Sequence, residues 1–73
     1  MITPCVNVRV ARAMAPHRRE TLDRLLDRHG AHRFADGRAL IECGQVATAK
    51  QIAALLRHLG AHAHAMYLGG VPQ

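Results

Sequence analysis

A chain of 73 residues holds one domain at most, and such a chain buries only about 60% of its unfolded surface. Apolar residues reach 49%, but many are alanine, Trp is absent and Phe34 and Tyr67 are the only aromatics, so the core is thin and help from a partner or a second copy is expected. The net charge is +5 with neutral histidines, nine of the ten cations are Arg, and no run of 18 apolar residues is present; an anionic partner is indicated and a membrane-spanning helix excluded.

Met1–Pro4 show no basic leader followed by an apolar run, so a cytoplasmic location is expected, with Cys5 and Cys43 reduced. No C-x-x-C is present, so neither a zinc site nor a thioredoxin-like motif is indicated. Residues 1–4 and 69–73 read as loose termini of a single domain spanning 1–73.

Val6, Val8 and Val10 alternate with Asn7 and Arg9, which predicts a strand with one buried face, running on toward Ala13. Pro16 suits the first turn of a helix. Leu22, Leu25 and Leu26 supply its apolar stripe, and Gly30 ends it. Glu20–Arg24 and Arg19–Asp23 stand four apart and can pair on its exposed side. His32–Ala35 predicts a short second strand. Asp36-Gly37 signals a two-residue hairpin turn, and a third strand runs from Arg38 to about Cys43. With that turn, Phe34 faces Ala39 on the inward side with Ile41 and Cys43. Arg33, Arg38, Leu40 and Glu42 fall on the opposite side.

Thr48-Ala49-Lys50-Gln51 reads as a capping box opening a second helix. Ile52, Leu55, Leu56 and Leu59 form its apolar stripe, and Gly60 stops it. His62–Leu68 is a fourth strand with two facings open. Either Ala63, Ala65 and Tyr67 turn inward, or His64, Met66 and Leu68 do.

The order β-α-β-β-α-β is that of a ferredoxin-like fold: a four-stranded antiparallel sheet with two helices on one face. An internal repeat supports it. A shift of 30 residues places Leu25-Leu26 on Leu55-Leu56, Leu22 on Ile52, and Gly30-Ala31-His32 on Gly60-Ala61-His62. The same shift places Phe34 on His64, and sets Arg9 and Arg33 against Ala39 and Ala63, which carry no charge.

Six histidines, at 17, 29, 32, 58, 62 and 64, are the oddest feature of the composition. His62-x-His64, with His58 or His32, suggests a metal site. No carboxylate or Cys has matching spacing, however, and histidines beside helix C-termini have a simpler role there. No metal and no cofactor are expected. Heavy-metal-binding domains of this plan place a C-x-x-C after the first strand, where this chain reads Ala13-Met14-Ala15-Pro16. Acylphosphatases share the plan, but their phosphate cradle is missing. Ser is absent and Cys43 is expected inward, so an enzyme is not expected.

The leading expectation is a small basic binding module for an anionic partner, nucleic acid or a nucleoprotein complex. In size and character it is similar to phage and mobile-element inhibitors of host defence such as anti-CRISPR proteins. The candidate contact residues are Arg9, Arg12, Arg18, Arg19, Arg33 and Arg38. RNA-recognition motif domains share the strand order but stack bases on aromatics of the central strands. The central strands here carry none, so phosphate contacts are expected without base stacking. The alternative is a dimeric ligand- or metal-responsive regulatory module using the His-rich ends.

Overall fold

The structure, a computed structural model, describes residues 3–10 and 13–68. Its elements are β1 (Thr3–Arg9), α1 (Pro16–Arg28), β2 (His32–Arg33), β3 (Arg38–Glu42), α2 (Val46–His58) and β4 (His62–Leu68). All strand pairs are antiparallel and the sheet order is β2-β3-β1-β4. β1 thus lies between the two strands that α2 connects, and β3 between the two that α1 connects. The fold is the expected α+β, ferredoxin-like arrangement.

One core joins both helices to one sheet face. It contains Val6 and Val8 of β1, Ala39 and Ile41 of β3, and Ala63 of β4. Leu22 and Leu26 come from α1, and Ala49, Ala53 and Leu56 from α2. Few of these are large, as the composition requires. Small Ala49 and Ala53 let α2 lie close against β1 and β4. Arg57 ties the same helix to the strand by donating from Nη1 to the Ala63 carbonyl at 2.8 Å.

The repeated Gly-Ala-His segment has a local cause. After α1, the Ala31 N–H donates to the Leu26 carbonyl (2.9 Å) and the Gly30 N–H to Asp27 (3.1 Å). After α2, Ala61 donates to Leu56 (3.1 Å) and Gly60 to Arg57 (3.0 Å). Both are Schellman closures, and each needs a left-handed residue, met by Gly30 at φ +65° and Gly60 at φ +99°.

Several expectations are corrected. β1 starts at Thr3, so Thr3 and Pro4 are paired strand residues, opposite Leu68 and Tyr67, and not a loose end. α2 starts at Val46, after an extended Gln45 whose carbonyl accepts from the Ala49 N–H at 3.1 Å; Thr48 lies inside the first turn and caps nothing. β2 is two residues long where four were expected.

The hairpin correction matters most. Its loop holds three residues, Ala35-Asp36-Gly37, and not two. The Phe34 N–H donates to the Arg38 carbonyl (2.9 Å), and Gly37 sits at φ +89°. A three-residue loop closed by a left-handed glycine is a stable alternative to the tight turn. Asp36 favours it by accepting the Arg38 N–H at Oδ1 (3.1 Å) and the Arg38 Nε at Oδ2 (2.6 Å). The added loop residue shifts the register by one, which reverses every side chain of β2. Arg33 stands opposite Ala39, on the helix side, and His32 opposite Leu40, on the open side. Phe34 was expected inward and Arg33 outward; both are reversed.

The facing of β4 is settled by its register with β1. Ala63 pairs with Val8 and Ala65 with Val6, so Ala63, Ala65 and Tyr67 take the helix side. His62, His64 and Met66 take the open side, opposite Arg9, Asn7 and Cys5.

Candidate functional site

The open sheet face is arranged in rows set by the strand pairing. The first row reads Phe34, Arg38, Arg9 and His62; the second reads His32, Leu40, Asn7 and His64; the third reads Glu42, Cys5 and Met66. Positive and titratable groups gather in the first two rows, and Glu42 is alone at the far end. Arg9 has no carboxylate partner among the described residues. The Arg38 guanidinium is held by Asp36, and Arg38 in turn keeps that carboxyl below the ordinary carboxylate range, chiefly through its backbone N–H.

A shallow hollow of about 240 Å³ lies on this face, lined by Asn7, Phe34, Arg38, Leu40 and Met66. Phe34 is 51% exposed there, while Leu40 and Met66 are half-buried.

Where the first row reaches the end of the sheet, a larger cleft of about 670 Å³ opens between β1, α1 and the β2–β3 hairpin. Arg9, Arg19, Arg33 and His62 line it, with Asp23 and Asp36. Arg33 crosses from β2 to α1 and donates to Asp23 Oδ1 at 2.9 Å, with both side chains 45% exposed. A pair so exposed adds roughly 0.2–1 kcal/mol. The expected Glu20–Arg24 pair forms at 2.7 Å on the outer side of the helix.

The structure therefore brings together four of the six candidate arginines. Arg9 and Arg38 are adjacent on the open face, and Arg9, Arg19 and Arg33 share the cleft. Arg33 reaches the site from the helix side, not from the open face. Arg18 is separate, in a depression with Met14 and Leu59. Arg12 lies outside the described residues. Phe34 and Asn7 are absent from the expected contact residues, and His32, His62 and His64 enter the sequence reading only as possible metal ligands. A signal for the first of these was present. The 30-residue repeat matches Phe34 to His64, and both do share the open face.

The thiols are poor nucleophiles. Cys5 is fully covered although it lies on the open side, between Glu42 and Met66, and its Sγ donates weakly to the Met66 carbonyl at 3.5 Å. Burial pushes the Cys5 and Cys43 thiols up from their ordinary values, so both stay protonated at neutral pH. Among the described residues, no three His, Cys, Asp or Glu side chains converge to hold a metal ion. No helix among them is long and apolar enough to cross a membrane. The chain matches no family model, no curated protein and no solved structure.

Proposed function

We propose that this protein is a non-enzymatic binding module whose open sheet face and adjoining cleft engage nucleic acid through its phosphates. The observation that carries this reading is the adjacency of Arg9, Arg38 and His62 across three strands, beside the cleft that adds Arg19 and Arg33. A rigid sheet holds these groups in place before the partner arrives, which limits the entropy lost on binding. Guanidinium groups suit phosphate because their paired N–H donors match its oxygens. The first turn of α1 lends further support. It brings Arg19 to the cleft from the positive end of the helix dipole, where an anion is favoured.

Binding of this kind is salt-dependent and largely blind to sequence. The test is fluorescence anisotropy with a labelled 12-nucleotide strand over a salt series. The wild type is expected to bind at low salt. Arg9→Ala should weaken binding to every sequence alike and lower the magnitude of the salt slope by about one. Absence of binding to any RNA or DNA at low salt would overturn the reading and leave a protein as partner.

A further inference from the structure

We infer that the open face holds an unpaired base on Phe34, so the ligand is single-stranded nucleic acid rather than a duplex. This rests on the phosphate-binding reading above and names the form of its ligand.

Phe34 is a large aromatic side chain left half exposed on a sheet face, at the rim of the hollow with Leu40, Met66 and Asn7. Covering apolar surface of this size is favourable, and about half of Phe34 is open to solvent. A nucleobase is a flat group able to do so, since every base presents a π-face to an aromatic ring. Leu40 and Met66 supply the apolar floor. The exposed Asn7 amide offers both a donor and an acceptor to a base edge. The charge nearby is of the sign that phosphate needs, chiefly on Arg9, since Asp36 already holds the Arg38 guanidinium. Arg38 stands directly opposite Phe34 across the hairpin, and Arg9 stands next to Arg38. The Arg9–Arg38 pair and the Asn7–Leu40 pair are two residues apart, roughly 7 Å along the strands. A base in the hollow and its phosphate on the arginines therefore require one nucleotide, not a bend in a longer chain. In a duplex the bases are stacked inside the helix and present only their edges, so a sheet-borne phenyl ring has nothing to stack on.

The experiment compares three ligands of equal phosphate number by anisotropy: a single strand, the same strand with abasic sites throughout, and a duplex of half that length. Wild type should prefer the base-bearing single strand to the abasic one by roughly tenfold or more. Phe34→Ala should abolish that preference, bringing the affinity for the base-bearing strand down to that for the abasic one. The substitution is at an exposed loop-flanking position, and circular dichroism checks that the fold persists. Phe34→Trp should retain the preference. Because the chain has no other Trp, its fluorescence should fall when a base stacks on it. Equal binding of base-bearing and abasic strands, unaffected by Phe34→Ala, overturns the stacking inference but leaves the phosphate reading intact. Failure to bind all three at low salt overturns both.

Discussion

Ala49, Ala53 and Ala63 are buried in the second half of the chain, and thirty residues earlier the first half has Arg19, Asp23 and Arg33. The helices carrying these residues are each thirteen residues long, end in the same glycine closure and insert an equivalent leucine, Leu26 or Leu56, into the core. The difference lies in how close helix and strand can come. Three methyl groups let α2 settle onto β4, which is paired along seven residues. An ion pair needs room and water, so α1 and the two-residue β2 leave a cleft between them. The cleft is thus the same packing site in a second version, with alanines replaced by charged groups. One copy of the repeat holds the domain together, and the other exposes arginines.

Putting the charge of the first half into the second should have the largest effect. Ala53→Asp places a carboxylate in the dry contact between α2 and the sheet, where Arg57, the cation one turn on, is already committed to the Ala63 carbonyl. The expected loss is about 3–5 kcal/mol, enough to unfold much of a domain this small, read by chemical denaturation. The reverse exchange should be mild. Arg33→Ala breaks an ion pair open to water and should cost only about 0.2–1 kcal/mol by the same measurement. A loss above that range would mean that the first half depends on its ion pair as the second depends on its alanines.

The smallest effect concerns the hairpin that sets the register. The folded state lowers the Asp36 carboxyl, so its contribution is present above the ordinary carboxylate value and is lost as pH falls through the lowered one. Asp36 should titrate below an ordinary Asp by NMR. Asp36→Asn should remove that part of the acid sensitivity. An ordinary value for Asp36 would show that the loop is not locked by Arg38.

Most of the fold could be read locally. Val6 and Val8 alternate, Pro16 opens a helix, and glycines at 30 and 60 close two. The repeat was real from helix to strand, but it does not reach the first strands. Six residues separate β1 from α1, and three separate β3 from α2, so Arg9 and Ala39 are not equivalent positions. Arg9 faces the open side and Ala39 the core. The candidate site was only partly legible. Alternation puts Arg9 and Arg38 on the face where they are found, whereas a two-residue turn puts Phe34 and Arg33 on the wrong sides.

Element order, helix ends and the thin alanine-rich core follow from local sequence, because hydrophobic period and backbone sterics act within a few residues. Which face carries the aromatic, and where the arginines converge, follow from long-range pairing. Strand facing depends on register, register depends on one residue of loop length, and both loop lengths are compatible with Ala35-Asp36-Gly37. The convergence of Arg9, Arg19 and Arg33 depends on a sheet end meeting a helix, a contact between segments that are distant in the chain.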